Sequence, residues 1–252
     1  MSSVQQIEGR VALVTGANRG IGRALVDALL ERGVRKVYAT ARRPDTLVDV
    51  VADGQGRVVP LRLDITRPDE VRQAVEEAGD VDLLVNNAGV VGHYFGGYED
   101  TAWLDAAGQE FETNVLGSLR VSQAFARVLA RNGGGAIINV ISVAGLVGMP
   151  LVLSYSSTKA ALHSLTQSTR LMLREQGTFV AGVYPGPVDT DMAERITMPK
   201  AFARSAAEAT LDGFEQGHEE IYPDSLALEF GTAYAQDPKG LELRVAAMAL
   251  AD

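Results

Sequence analysis

The sequence predicts an α/β fold in a single domain: a doubly wound parallel sheet of about seven strands with helices on both faces. Two observations predict it. Short β-branched runs that are apolar without alternation recur along the chain, as strands buried on both faces require. Longer amphipathic stretches separate them, and such helices are the right-handed crossovers that join parallel strands. The 252 residues, 46% of them apolar, suffice for one large core, and α/β folds of this length occur as one domain. No linker, repeat or low-complexity tract divides residues 1–252.

The elements follow in order. RVALVT (10–15) is the first strand; a glycine turn and a helix to about Arg32 come next, with Gly33 as the stop. KVYATA (36–41) is the second strand, and RVVPLRLDI (57–65) contains the third, tolerating Pro60 near its beginning. In TRPDEVRQAVEEAG, Thr66 is the expected N-cap and Pro68 lies just inside the helix. VDLLVNNAG (81–89) supplies the fourth strand and its exit loop. One long helix is expected over about 103–131, ended by Asn132 and the glycines after it. GAIINVIS (135–142) is the fifth strand, followed by a helix from about Ser154 to Gln176. TFVAGVYPG (178–186) is the sixth, and Glu220 to Tyr222 form a seventh. Residues 187–200 contain prolines and little periodicity, so 187–217 reads as a substrate-binding flap region; helical stretches are expected near 201–217 and 224–250.

Composition narrows the function classes. A net charge of -9 opposes the basic face that nucleic-acid binding needs. No apolar run approaches the roughly 18–20 residues that span a bilayer. The start, MSSVQQIEGR, lacks a secretory pattern, and the absence of cysteine fits a reducing, cytoplasmic setting. His93, His163 and His218 are far apart in sequence with no cysteine beside them, so no metal site is expected.

Every unusual segment falls at the carboxyl end of a strand, where doubly wound sheets bind ligands. TGANRGIG (15–22) follows a strand and opens a helix, with Gly16, Gly20 and Gly22 spaced for a tight turn, close approach to a pyrophosphate and close helix–sheet packing. The helix N-terminus would supply N–H groups to the anion. An ordinary glycine-rich βα turn is the alternative. In dinucleotide folds an acid ending the second strand holds the ribose hydroxyls. Here Ala41 stands in that place, followed by Arg42 and Arg43, with Arg19 inside the glycine turn. Guanidiniums without the acid suit a 2′-phosphate and favour NADP over NAD; a solvated basic loop is the bland reading. Asp64 either accepts from the adenine amine or serves as a turn residue.

In LSYSSTKAAL (153–162), Tyr155 and Lys159 share one helical face. A free phenol has a pKa near 10. A neighbouring ammonium and the positive ring of an oxidised nicotinamide both lower it. Such a phenol protonates a carbonyl oxygen as hydride reaches carbon, and reverses the act for an alcohol. The alternative is a surface pair worth a few tenths of a kcal/mol. The small residues at 154, 156–158 and 160–161 count against it, since they let another chain segment or a ligand approach closely.

Taken in order, TGANRGIG, NNAG (86–89), Asn114 in FETNVLG, Ser142 in VISVAG, YSSTK (155–159) and PGPVDT (185–190) resemble the short-chain dehydrogenase/reductase family, over roughly the first 190 residues. The resemblance implies a Rossmann-like, NADPH-dependent oxidoreductase that interconverts a ketone or aldehyde and an alcohol. It implies that Tyr155 is the general acid/base, that Ser142 stabilises charge on the substrate oxygen, and that Lys159 binds the nicotinamide ribose. Asn114 would hold a water relaying protons to Lys159. Read alone, Ser142 is a turn former and Asn114 a helical residue on a polar face. SVAG is not a G-x-S-x-G elbow and has no histidine nearby, so a serine hydrolase is not indicated. Cofactor contacts are expected from Gly16, Asn18, Arg19, Gly20, Ile21, Gly22, Arg42, Asp64, Ile65, Asn87, Ala88 and Gly89, and beyond them from Pro185, Gly186, Val188 and Thr190. Asn86 would tie neighbouring strands, while Asp189 and Asp191 read as turn residues.

The substrate pocket is expected from His93, Tyr94 and Phe95, from Val143, Leu146 and Met149, and from Met192 and Ile196. These segments suggest a hydrophobic carbonyl compound or alcohol; His93 is alternatively an exposed loop residue. After Glu220 the chain departs from the family's usual ending, which puts the usual tetramer interface in doubt. The helices 103–131 and 154–176 still offer a dimer face, so a homo-oligomer, dimer or tetramer, is expected. No nucleic-acid or membrane partner is expected. A dinucleotide-binding regulator without turnover is the alternative function; the complete Ser142, Tyr155 and Lys159 set argues against it.

Overall fold

The computed structural model describes residues 5–94 and 98–249. Its centre is a seven-stranded parallel sheet: β1 (Val11–Val14), β2 (Lys36–Ala41), β3 (Val58–Arg62), β4 (Leu83–Asn86), β5 (Ala136–Val140), β6 (Phe179–Val183) and β7 (Glu220–Ile221), in the order β3-β2-β1-β4-β5-β6-β7. β1 pairs with β2 through Val11↔Lys36 and with β4 through Ala12↔Leu83. The chain winds outward to β3, then returns across β1 to β4 and winds the other way. The crevice of a doubly wound sheet opens at that reversal.

Nine helices of the described residues flank the sheet: α1 (Gly20–Glu31), α2 (Val48–Asp53), α3 (Pro68–Glu77), α4 (Ala102–Glu110), α5 (Ser118–Arg131), α6 (Leu153–Leu173), α7 (Ala203–Glu215), α8 (Ser225–Gln236) and α9 (Pro238–Ala249). None is long and apolar enough to cross a membrane. Strand β1 shows why its residues are apolar without alternation. Ala12 and Val14 face Leu25, Leu29, Leu211 and Phe214 on one side. Val11 and Leu13 face Val71, Phe125 and Leu129 on the other. Each large side chain so buried contributes about 1.5–3 kcal/mol by leaving water.

Several elements differ from expectation. Pro60 lies in the middle of β3, opposite Ala39, and is tolerated because β3 is an edge strand with β2 as its one partner. Thr66 is not the N-cap of α3; Arg67 holds that place without a side-chain bond. The Thr66 backbone N–H and hydroxyl both donate to Asp64 Oδ1, at 2.9 and 2.7 Å, so its side chain belongs to the preceding turn. The helix expected over 103–131 is α4 and α5 joined by a π-helical segment, Phe111–Gly117. The stretch expected over 224–250 breaks at Asp237, whose φ of -152° obeys the extended preference of a residue before proline. The irregular flap ends at Phe202, tied by a bridge between Val188 and Ala201. Beyond it, α7 packs on α1 with Leu211 and Phe214 fully buried, so 203–215 belongs to the core.

Candidate active site

A cleft of about 1340 Å³ opens at the carboxyl ends of β1, β4, β5 and β6. The glycine turn forms one end. Gly16 and Gly20 have φ of +65° and +55°, a region that favours glycine. A Cβ on Gly22 would stand 2.2 Å from the Gly16 carbonyl oxygen and 2.4 Å from Asn87 Nδ2, so α1 packs here only through glycine. The Asn87 carboxamide donates to the carbonyls of Thr15 and Gly16 at 2.9 and 3.1 Å. Thr15 Oγ1 accepts the backbone N–H groups of Asn87 and Ala88. The strand-exit segment 86–89 therefore braces the turn from behind. Arg19, the N-cap of α1, makes no capping side-chain bond, which leaves the first-turn N–H groups facing the cleft.

Asn18, Ile21, Ala88 and Gly89 line the same end, as do Asp64 and Ile65. Asp64 lines the cleft while its Oδ1 is engaged by Thr66 in the turn. The two arginines separate. Arg19 is bound to Asp191 at 2.7 Å, whereas Arg42 lines the cleft with no carboxylate partner among the described residues. Ala41 before it is buried, so the residue that ends β2 carries no carboxylate.

Ser142, Tyr155 and Lys159 meet at the centre of the cleft. Lys159 Nζ sits 5.4 Å from the Tyr155 ring centroid and donates to the Val140 carbonyl at 2.9 Å. Burial lowers the Lys159 ammonium to about 8. Burial also drives the Tyr155 phenol well above its ordinary value; hydrogen bonding from Ser142 opposes this, and Tyr94 and Glu110 add to it. The depression expected from the lysine is thus absent in the chain's own side chains. Desolvation outweighs an ammonium that is itself pushed toward neutrality and lies over the ring. Ser142 Oγ accepts the Ala144 N–H at 3.1 Å and donates to the Pro185 carbonyl at 3.4 Å, bridging β5's exit to the 185–190 segment.

The small residues around Tyr155 admit the chain itself. Ser156 Oγ donates to the Ala144 carbonyl at 2.7 Å and accepts the Met149 N–H. A Cβ on Gly145 would lie 2.7 Å from the Lys159 carbonyl oxygen. The 143–149 turn thereby packs directly onto α6 and fixes Ser142 beside Tyr155.

Asn114 does not line the cleft; it is fully buried in the π-helical segment. Its Oδ1 accepts the Val90 N–H at 2.8 Å, and its Nδ2 donates to the Val90 carbonyl and to Thr158 Oγ1. Four residues earlier, Glu110 Oε1 accepts the Gly92 N–H at 2.6 Å, while Oε2 is buried without a hydrogen-bond partner. The two side chains grip alternate peptides of the loop after β4. Sequence reasoning missed Glu110; a carboxylate one turn before Asn114 was the available signal.

At the far end, Tyr94, Val143, Met149, Met192 and Ile196 line the cleft, and so do Pro185, Gly186, Val188 and Thr190. Two expected pocket residues are elsewhere. Leu146 is buried with Ile141, Leu162 and Tyr184 behind the wall. His93 faces Asp100 at 2.6 Å and is not part of the lining. Phe95 lies outside the described residues. The Tyr94 hydroxyl donates to the Met192 carbonyl at 2.5 Å, spanning the mouth between loop and flap. Leu226, Phe230, Val245 and Met248 of α8 and α9 complete this end.

A glycine cradle at a bare helix start, an arginine without a carboxylate partner among the described residues, and a Ser–Tyr–Lys group whose lysine is buried and whose hydroxyl residues are half-buried define a dinucleotide-dependent oxidoreductase of the doubly wound class. Residues 10–201 match the short chain dehydrogenase family. A 3-oxoacyl-(acyl-carrier-protein) reductase of Vibrio cholerae is 35% identical over 199 residues, covering 75% of this chain and 78% of that protein. An L-rhamnose 1-dehydrogenase (NAD(P)(+)) of a Sphingomonas strain is 36% identical over 195 residues, covering 74% and 75%. A crystal structure of a short chain dehydrogenase from Burkholderia cenocepacia in complex with NADP superposes with a TM-score of 0.88 at 41% identity, over 96% of this chain and 99% of that one. The chain belongs to the short-chain dehydrogenase/reductase family.

Proposed function

We propose that the chain reduces a ketone or aldehyde to an alcohol with NADPH, reversibly, using Tyr155 as the proton donor. The observation that carries this reading is the convergence of Ser142, Tyr155 and Lys159 on a cleft whose other end is a glycine cradle. NADPH, when bound, supplies the hydride. The chain's residues do the rest. The α1 N-terminus and the Gly16–Gly22 turn hold the pyrophosphate. Arg42, without a carboxylate partner among the described residues, holds the 2′-phosphate; the crystallised Burkholderia relative in complex with NADP supports this choice. Lys159 holds the nicotinamide ribose.

Ser142 donates to the substrate oxygen and Tyr155 protonates it. A phenol whose pKa stands above its ordinary value is fully protonated at neutral pH, which suits the reducing direction. As the phenolate forms, the Lys159 ammonium and the Ser142 hydroxyl stabilise it. Asn114, clamped on Val90 beside Gly89, keeps the loop in place next to Lys159; a Cβ on Gly89 would lie 3.3 Å from Asn114 Oδ1 and 3.7 Å from Lys159 Nζ. A homo-oligomer, dimer or tetramer, belongs to the same reading; exposed Leu116 on the π-helical segment and Leu171 and Met172 on α6 support a helical interface.

The test is oxidation of NADPH, followed by absorbance, against a panel of ketones and aldehydes, repeated with NADH. Turnover with NADPH supports the reading. Tight NADPH binding with no turnover of any member replaces it with a dinucleotide-binding regulator.

A further inference from the structure

We propose that the α8–α9 hairpin is the specificity-determining wall of the cleft and selects an uncharged, apolar carbonyl compound or alcohol. This rests on the oxidoreductase reading and names the substrate class of the same site. The hairpin is fastened to the reacting end. Asp224, the N-cap of α8, divides its carboxylate between two backbone donors: Oδ1 accepts the Ala227 N–H at 2.8 Å and Oδ2 the Gly186 N–H at 2.9 Å. One bond starts the helix and the other ties it to the 185–190 segment that walls the cofactor end. Phe230 and Val245 then pack against Val143, the neighbour of Ser142, so the helices cover the region next to the reacting group.

The surface they present has no charge. Leu226, Phe230, Val245 and Met248 reach the cleft from the hairpin. Met149, which packs against the same buried cluster, and Met192 line the cleft with them. Tyr94 brings a hydroxyl to this end, but that hydroxyl is already bound to the Met192 carbonyl. The cations of the cleft lie elsewhere: Arg19 is paired with Asp191 and Arg23 with Asp27 and Asp53, Arg42 stands beside Ala41, Lys159 belongs to the reacting group, and Arg195 lies over the Tyr94 ring at 5.5 Å. A sugar needs several hydrogen-bonding side chains to replace its water. A thioester on a phosphopantetheine arm brings a phosphate that needs a cation. Neither requirement is met by these four hairpin residues or by the two cleft methionines. Alkyl or aromatic surface meets them without an unpaired polar group.

The test uses the whole protein and a ladder of alkyl methyl ketones of increasing chain length. Their Kd is measured by isothermal titration, and kcat/KM with NADPH alongside. Met248→Trp, on a partly exposed site, fills the end of the cleft without removing core packing; Leu226→Ala enlarges it. The expected result is a Kd that tightens with chain length in the wild type. Met248→Trp should weaken the long ketones by about 10-fold or more while short ones change little, and Leu226→Ala should shift the optimum to longer chains. An unchanged chain-length profile in both variants overturns the inference. So does wild-type preference for a sugar or a pantetheine thioester, or failure to bind any ketone. Binding with the expected profile but without turnover upholds the wall and removes the reductase; turnover with an unchanged profile does the reverse.

Discussion

The guanidinium of Arg19 closes on the carboxylate of Asp191 at 2.7 Å, joining the glycine turn to the flap. Both side chains are largely exposed, so the pair contributes about 0–1 kcal/mol to stability. Its consequence is for nucleotide choice, because it leaves Arg42 as the cleft arginine without an acidic partner among the described residues. Arg42→Ala should weaken NADPH by about 10-fold or more, the scale of a lost charge-assisted pair, and leave NADH nearly unchanged. Arg19→Ala should have the smaller effect on the NADPH/NADH ratio. Fluorescence titration of both variants with each nucleotide checks this; equal loss of both nucleotides in Arg42→Ala would contradict it.

Gly22 is the tightest point of the cradle. Gly22→Ala places a methyl group inside contact distance of the Gly16 carbonyl and the Asn87 amide. Both are fixed by the hydrogen bonds that brace the turn, so the backbone must shift. A loss of about 1–3 kcal/mol and of NADPH binding is expected, read by thermal melting and titration. Wild-type affinity in that variant would show that the turn does not hold the pyrophosphate.

Lys159 makes stability depend on pH. Its folded pKa of about 8 is below the unfolded value of 10.5, so between these limits the unfolded chain binds the extra proton. Wild-type stability should therefore rise as pH goes from 8 toward 10, as the native ammonium discharges. Lys159→Met lacks this group and should lack the rise. Melting temperatures of both proteins across that range test the sign; parallel curves would mean that the amine is solvated.

Much of this architecture was legible in the sequence, for a physical reason. Strands such as VALV and AIINV are largely apolar on both faces because helices cover both faces. The glycine turn was legible because Gly22 cannot be another residue there. The π-helical segment was not, since Phe111 to Gly117 mixes apolar and polar residues as the helices beside it do, and its surroundings are tertiary: a Cβ on Gly117 would meet Ile65, and Asn114 is bonded to Val90. Leu146 and Met149 look alike in a loop; only the fold sends Leu146 into the core and Met149 to the cleft. The α8–α9 hairpin showed apolar residues at helical spacing, but which face met the cleft depended on the long-range bonds of Asp224.

Glu110 carries a prediction that separates loop support from charge. Glu110→Leu removes the acceptor of the Gly92 N–H, a bond at the edge of solvent, at about 1 kcal/mol. It should raise KM by freeing the loop that bears Tyr94. Glu110→Gln keeps an acceptor and should restore KM. Because it also removes a negative charge that raises Tyr155, it should move the phenol's titration in alcohol oxidation to lower pH. A pH–rate profile identical to wild type would show that the carboxylate does not act on Tyr155.

The central claim is that the Tyr155 hydroxyl delivers the proton. Single-turnover reduction by Tyr155→Phe, with NADPH bound and a ketone that the wild type accepts, tests it most directly. The account predicts a reduction rate lowered by at least about 100-fold, the lower bound for a lost general acid, with NADPH affinity unchanged. A wild-type rate from the phenylalanine variant would contradict it.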